Sequence, residues 1–478
     1  MKKRKKHTSL ILAILVLSSV SLCACELTTD SSSVDATYIE LSNEAIEVAI
    51  GESFSLTADT DGKKVFWTSD ATHIAEVDDQ GVVTAIAEGE ATIKARSGNK
   101  RAYCEVTVIK KQEEPISYST LKEAYQDYFV IGAAVQNKSL QNGKYGDLMK
   151  HYSSITAENA MKWKNIEAEK GVYTFNSQKD SADELVAWAK NNGVGIRGHC
   201  LVWYKSLPQW LHDEFYEKTY SKTLKETAYA YIEERIEKMM TRYGSDIYVW
   251  DVVNEALFNS VTADDLVTTS EKPYGNIFRT NDNMNDSNTD WVDWYKVTGG
   301  YEYIAKAFIK AGKVREEYNI QTQLYYNDYS LNTPEKRQAC VNLIKMLKAN
   351  NAPIDGVGMQ GHYKLGDYLE DKEKWLQEFE DSIKAFINAG VDVQITELDI
   401  RYEGEDSETK ELQQADMYGE IMKICRKYAK KDNAHGVTGV TFWGVQDGSN
   451  GAWGSTYKPL PFDSNCEPKK AFYAMTTF

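Results

Sequence analysis

The alternation of apolar and polar residues changes regime partway along the chain. From about residue 37 to 109 the apolar positions fall on every second residue in short segments. Ile39-Glu40-Leu41, Ile46-Glu47-Val48, Ser53-Phe54-Ser55-Leu56-Thr57, Val65-Phe66-Trp67, Ala75-Glu76-Val77, Val82-Val83-Thr84-Ala85, Ala91-Thr92-Ile93 and Glu105-Val106-Thr107-Val108 form the series. Short strands at regular spacing, with turn residues such as Gly51-Glu52 between them, predict a small all-β sandwich. Beyond residue 118 the strands read as continuous apolar runs, at 129–134, 153–156, 194–200, 247–254, 323–326, 356–359, 391–396 and 440–443. Helical stretches separate them. In one, Leu224, Ala228, Ile232, Ile236, Met239 and Tyr243 recur at helical spacing, with Gly244 as the stop. Eight β units alternating with helices predict an α/β fold, a (β/α)₈ barrel over residues 118–478. The count of eight depends on accepting the short run at 153–156.

At 478 residues the chain is long enough for both units. Its first residues carry Lys2-Lys3-Arg4-Lys5-Lys6, then an apolar run from Leu10 to Val20, then Leu22-Cys23-Ala24-Cys25. Residues 1–24 read as a signal peptide, because the apolar run falls short of the about 20 residues a membrane span needs. The Leu-x-Ala-Cys ending resembles a bacterial lipobox, which implies lipidation of Cys25 and a lipoprotein anchored on the cell surface. Residues 25–36 are a polar tether, and 110–117, with Lys110-Lys111-Gln112-Glu113-Glu114-Pro115, are a linker. The formal charge is −16, which argues against a nucleic-acid partner, since phosphate binding needs a basic face. Cys104, Cys200, Cys340, Cys425 and Cys466 are an odd set without paired spacing, so no disulfide framework or metal motif is expected.

In a barrel of this kind reactive groups sit at the C-terminal ends of the strands. Those ends carry Glu158-Asn159 with Lys162, His199 with Trp203, and Asn254-Glu255. Asn327-Asp328-Tyr329 follow, then Gln360 with His362, Glu397 with Asp399, and Trp443 with Trp453. Glu255 and Glu397 each close a buried run. Burying a carboxylate is costly without compensation, so each needs a reason. Two of them match glycoside hydrolysis with retention, where an acid/base and a nucleophile lie about 5 Å apart across a sugar ring. Any one of the remaining polar groups is equally a satisfied core residue, and any one Trp a packing residue. Their joint occurrence at the strand ends is what points to sugar binding.

Five ordered motifs carry a family resemblance. Thr-Ala-Glu-Asn-Ala-Met-Lys-Trp (156–163), Arg-Gly-His-Cys-Leu-Val-Trp (197–203), Trp-Asp-Val-Val-Asn-Glu (250–255), Gly-Met-Gln-Gly-His (358–362) and Ile-Thr-Glu-Leu-Asp (395–399) resemble the signatures of glycoside hydrolase family 10, chiefly endo-β-1,4-xylanases. The ending Phe462-Asp463 … Pro468-Lys469-Lys470-Ala471-Phe472 is family-like too. The resemblance implies Glu255 as acid/base and Glu397 as nucleophile, supported by His362, Asp399, Asn254 and Gln360. It assigns sugar contacts to Glu158, Asn159, Lys162, His199, Trp203, Tyr329, Trp443 and Trp453. It implies xylan and xylo-oligosaccharides as substrates, a monomer, no cofactor and no metal. A β-1,4-glucanase or broad-specificity relative, and a silent surface polysaccharide-binding protein, remain as alternatives; the intact glutamate pair argues against the last.

Two departures stand out. The family often has Trp-His-x-Gln after the His motif, but here Trp203-Tyr204-Lys205-Ser206 stands, which puts chain-length preference in doubt at Ser206. The stretch from Asn259 to Asp290 is long, acidic and Asn-rich. It reads first as a solvated insertion and second as a border of the leaving-group side. Trp67-Thr68-Ser69-Asp70, Ala75-Glu76-Val77, Gly81-Val82-Val83-Thr84-Ala85 and Gly89-Glu90-Ala91-Thr92-Ile93 resemble a group 2 bacterial immunoglobulin-like module. Such modules serve as spacers, or alternatively as weak ligand- or wall-binding units.

Overall fold

The computed structural model describes residues 36–62, 64–110, 115–137, 140, 143–216, 218, 220–280, 291–404, 407–448 and 457–478. The signal segment, Cys25 and Trp453 lie outside the described residues. The chain divides into two compact units, Met1–Glu114 and Pro115–Phe478.

In the larger unit eight strands close into a barrel: β1 (Val130–Val135), β2 (Ser154–Ala157), β3 (Gly195–Gly198), β4 (Ile247–Asn254), β5 (Gln323–Asp328), β6 (Gly356–Met359), β7 (Asp392–Arg401) and β8 (Val437–Phe442). Each pairs in parallel with the next, and β8 returns to β1. Parallel strands are covered on both faces, which is why they read as unbroken apolar runs. All eight runs expected from the sequence are strands, the four-residue β2 included.

The helix Lys222–Tyr243 shows how the connecting layer is specified. The Ser221 hydroxyl accepts the Leu224 N–H at its start, a preferred N-cap arrangement. Ala228, Ile232, Ile236 and Met239 are buried on one face, and Gly244 ends the helix at φ 51°, where an L side chain would be strained. Arg235, on the same buried face, is fully enclosed, and its guanidinium donates to the Met161, Cys200 and Leu201 carbonyls.

β7 runs on past the expected end at 396 to Arg401. Between Ile395 and Leu398 it carries one residue more than β8 opposite, and β4 carries one more than β5 between Asp251 and Val253. These are bulges, which turn side chains and tighten the local twist. Two short strands, Val202–Trp203 and His362–Lys364, extend β4 and β7 beyond the barrel.

The smaller unit packs a four-stranded sheet, in the order Phe66–Ser69, Gly89–Ser97, Lys100–Ile109 and Ala45–Ala49, with a three-stranded one of Ser53–Ser55, Val82–Ala85 and Ala75–Val77. Leu56, Val83, Ile93, Cys104, Val106 and Val108 form its core. Alternate residues of the same strands face solvent, as the period of two requires.

Candidate active site

Glu255 follows the bulge on β4, Glu397 lies within the one on β7, and each is gripped from several strands. Glu255, one residue past β4, has φ 55°, a conformation costing a non-glycine residue on the order of 1–3 kcal/mol unless its surroundings impose it. Its N–H donates to the Asn327 carbonyl at 2.9 Å, and its own carbonyl accepts from Arg279 Nε at 2.8 Å. These two bonds fix the strained backbone. The carboxylate oxygen Oε1 accepts from Gln360 Nε2 at 3.0 Å and from Asn254 Nδ2 at 3.3 Å.

Glu397 is 4 % exposed. Its Oε1 accepts from Asn327 Nδ2 at 2.8 Å, and its Oε2 lies 3.1 Å from His362 Nε2. The other ring nitrogen, Nδ1, is 2.9 Å from Asp399 Oδ2. A ring facing a carboxylate at both nitrogens donates from both, so it is an imidazolium. Burial on its own would strip the His362 charge, but Asp399 and Glu397 outweigh it and push the imidazole up to about 10. Burial would likewise raise Glu397; the His362 hydrogen bond, the neighbouring His199 and the Asn327 amide override it and hold the carboxyl at about 2. Glu397 is therefore ionised at any pH where the protein would work.

The two carboxylates belong to one network. Asn327 Nδ2 donates both to Glu397 and to Asn254 Oδ1 at 2.9 Å, and Asn254 in turn reaches Glu255. Each carboxylate oxygen has two lone pairs, so the one hydrogen bond on each Glu397 oxygen leaves capacity for a bond to carbon.

The remaining expected residues gather around this pair. At the end of β2, Lys162 Nζ donates to Asn159 Oδ1 at 2.9 Å, and Asn159 Nδ2 to Glu158 Oε1 at 3.1 Å. Lys162 also stands 5.3 Å over the Trp203 ring, joining β2 to the short strand beside β4. His199 Nδ1 donates to Asp251, which Arg197 holds from its other side at 2.6 Å, so Nε2 is the ring's remaining polar atom. Trp443 meets His199 edge-on at 5.4 Å and His362 at 6.1 Å. Tyr329 lies on the acid/base side, its hydroxyl accepting from Arg279 at 3.0 Å. Ser206 is half-buried at φ 54°, and its carbonyl accepts the Lys164 N–H.

Several residues of the site do not stand out in the sequence. Asn327 reads there as a strand end, not as the bridge between the glutamates. The reading of 259–290 as a solvated insertion fits the mostly exposed 259–276 but fails at 277–279: Arg279 is 5 % exposed, with Ile277 and Phe278 buried beside it. Its guanidinium lies 4.3 Å from the Tyr204 ring and donates to Asn259 Oδ1 at 2.5 Å. The apolar pair Ile277-Phe278 before an arginine is the signal that marks it. Lys336, 1 % exposed, donates to Asp328 and covers the Tyr329 ring at 3.6 Å. Arg235 ties the Met161, Cys200 and Leu201 carbonyls together, at 2.6, 3.0 and 2.7 Å, and so supports the β2 and β3 loops from below.

Known proteins resemble this arrangement. Residues 120–478 match the family model described as glycosyl hydrolase family 10, and residues 35–106 that of the bacterial Ig-like domain, group 2. A β-1,4-xylanase of Dictyoglomus thermophilum is 37 % identical over 385 residues, 77 % of this chain and 94 % of that protein. Endo-1,4-beta-xylanase A of Caldicellulosiruptor saccharolyticus is 31 % identical over 375 residues, 75 % of this chain and 96 % of that one. Among solved structures, an endo-1,4-beta-xylanase from Caldicellulosiruptor owensensis superposes with a TM-score of 0.60 at 31 % identity, covering 76 % of this chain and 100 % of its own. A mutant solved in complex with xylotriose gives 0.61 at 29 %, over 76 % of this chain and 100 % of its own.

Proposed function

We propose, from the premise that this chain belongs to glycosyl hydrolase family 10, that Glu255 and Glu397 divide between them the two steps of xylan hydrolysis. The protein is an endo-1,4-β-xylanase acting with retention. In the first step Glu255 gives its proton to the glycosidic oxygen while Glu397 attacks the anomeric carbon from the opposite face, forming a glycosyl–enzyme ester. In the second, Glu255, now a carboxylate, takes a proton from water, whose oxygen displaces Glu397. The observation that carries this division is the contrast in setting. Glu397 is clamped as an anion between the His362 imidazolium and Asn327. Glu255 instead accepts, among the described residues, only from neutral amides at its carboxylate, those of Gln360 and Asn254.

Glu158, Asn159, Lys162 and His199 supply donors and acceptors to hydroxyls of the sugars on the non-reducing side. Trp203 and Trp443 close apolar surface around the reacting ring, and Tyr329 borders the leaving group; Trp453, given to the same sugar by the resemblance, lies outside the described residues. The basic head, apolar run and Leu-x-Ala-Cys sequence support a lipid anchor at Cys25 that holds the enzyme at the cell surface.

Proton NMR of products freshly released from unsubstituted xylan, and in parallel from a soluble β-1,4-glucan, tests the reading. β-Anomeric xylo-oligosaccharides should appear first and be lost in Glu397→Ala. Cleavage of the glucan alone would move the assignment to a glucanase. α-Anomers appearing first would remove Glu397 from the role of nucleophile.

A further inference from the structure

The outer face of the four-stranded sheet in the smaller unit breaks a rule of strand pairing. Arg96 and Arg101 stand directly opposite each other across the Gly89–Ser97 and Lys100–Ile109 strands, and like charges so placed are destabilising. Lys94, two residues along, points to the same face and pairs with Tyr103. On the other side Phe66 is the register partner of Arg96. Its ring carries the Arg96 guanidinium at 4.9 Å and the Lys64 ammonium at 4.8 Å. Among the described residues no carboxylate forms an ion pair with Lys64, Lys94, Arg96 or Arg101. Four cations are thus held together in a chain whose formal charge is −16.

The same face is not uniformly basic. Glu105, Glu90 and Glu47 occupy its far end, at the register positions beyond Tyr103 and Lys94. This short basic field bounded by carboxylates is a poor match for a nucleic-acid backbone, which needs a continuous run of cations. It fits anionic groups spaced along an otherwise neutral polymer. Two guanidinium forks recognise carboxylates in two-point geometry. Phe66 and Tyr103 are 45 % and 51 % exposed, and Tyr103 offers an open ring face on which a sugar can stack. From strand spacing and rise, the two rings stand about 12 Å apart across the sheet, a span of a few sugar residues.

We propose that this face, built on Arg96 and Arg101 with Lys64, Lys94 and Tyr103, is a binding site for xylan carrying uronic-acid side chains. The site takes the carboxylates on the arginines and lays the backbone sugars against Tyr103. The assignment of xylan rests on the function proposed above; the cationic site does not. Because most of the protein surface repels a polyanion, this face is where an acidic chain meets attraction.

Affinity electrophoresis of the whole chain tests it, with Glu397→Ala present so that the polymer survives. The gel contains either glucuronoxylan or the same polymer with its carboxyl groups reduced to alcohols. Arg96→Ser/Arg101→Ser should weaken retardation about tenfold on the acidic polymer, the loss expected when charge-assisted contacts go, and change nothing on the reduced one. Arg96→Lys/Arg101→Lys, which keeps the charge but loses the two-point fork, should fall between parent and Ser variant on the acidic polymer, and a circular dichroism spectrum matching the parent's shows that the Ser variant is folded. Tyr103→Ala should weaken both polymers equally. Equal retardation of parent and Ser variant on glucuronoxylan would overturn the site. Equal retention by polygalacturonate would overturn xylan as its ligand. Hydrolysis of xylohexaose by the Arg96→Ser/Arg101→Ser chain with Glu397 intact is read separately. Normal hydrolysis with no change in binding sinks only the site, while absence of hydrolysis even in the parent sinks the enzymatic reading.

Discussion

His362 does with one ring what two separate residues would otherwise have to do. Donating to Asp399 and Glu397 at once, it keeps the nucleophile ionised and fixes its plane. Replacing it by Gln leaves a donor of similar reach but removes the charge. The acid limb of kcat/KM should then move up from the region of about 2 toward the ordinary carboxylate range, because the His362 charge no longer opposes burial. A limb that stays put in His362→Gln would show that His362 does not govern Glu397. Stability carries the same signature on both sides. Glu397 is lowered from 4.5 to about 2, so its contribution is full above 4.5 and is lost as pH falls toward 2. His362 is raised from 6.5 to about 10, so its contribution is full below 6.5 and is lost as pH rises toward 10. Thermal midpoints should therefore plateau between those inner values and decline outside them, and His362→Gln should flatten the alkaline decline. The glutamates are legible in the sequence because a titratable group at the end of a buried run is too costly to keep without a chemical role or a partner; the part of His362 and Asp399 beside Glu397 is legible only through the family resemblance. Asn327 is not, since an Asn at a strand end is equally a turn residue, and only the fold shows its amide reaching two neighbouring strands.

Among elements, the apolar runs mark the strands directly, while the bulges on β4 and β7 leave no trace in hydrophobic pattern. They are set by pairing with β5 and β8, partners far away in sequence. The loop after β4 misleads for a related reason: its polar composition outweighs the short buried segment at Ile277 and Phe278. Arg279 in that segment acts through Glu255, whose backbone it holds, and is a positioning residue. Arg279→Met should lower kcat on xylo-oligosaccharides about 10²-fold, within the range a general acid contributes. Aryl xylosides with very good leaving groups need little protonation, and their first step should be nearly spared. An equal loss on both substrates would mean general damage to the fold. The close packing of β3 against β4 makes a second prediction. A Cβ at Gly198 would fall 2.1 Å from the Trp250 ring, so Gly198→Ala should cost about 1–3 kcal/mol as an overpacked core site. Displacing the adjacent His199 should also raise KM, and an unchanged melting midpoint would contradict the packing.

Over the whole molecule, the sequence divides where the period of hydrophobicity changes from two to continuous runs, and the two compact units follow that change. What the pattern does not convey is how each unit uses its outer surface, because exposed charges leave no period behind. The arginine pair on the sandwich becomes visible only once strand register places Arg96 opposite Arg101. The lipid anchor proposed at Cys25 follows from the sequence. Metabolic labelling with a fatty-acid analogue should mark the parent chain and leave Cys25→Ala unmarked. The two units also make a thermodynamic prediction, since their buried clusters have no residue in common. Ile93 is fully enclosed in the smaller cluster and Ile383 in the larger. Each Ile→Ala change should remove on the order of 2–5 kcal/mol from its own core. Scanning calorimetry of the whole chain should resolve two transitions, the smaller in enthalpy belonging to the sandwich, because unfolding enthalpy scales with the number of residues. Ile93→Ala should lower only the smaller transition and Ile383→Ala only the larger. A single transition lowered by both variants would mean that the chain unfolds as one cooperative body despite its separate cores, and that loss of the sandwich destabilises the catalytic barrel itself.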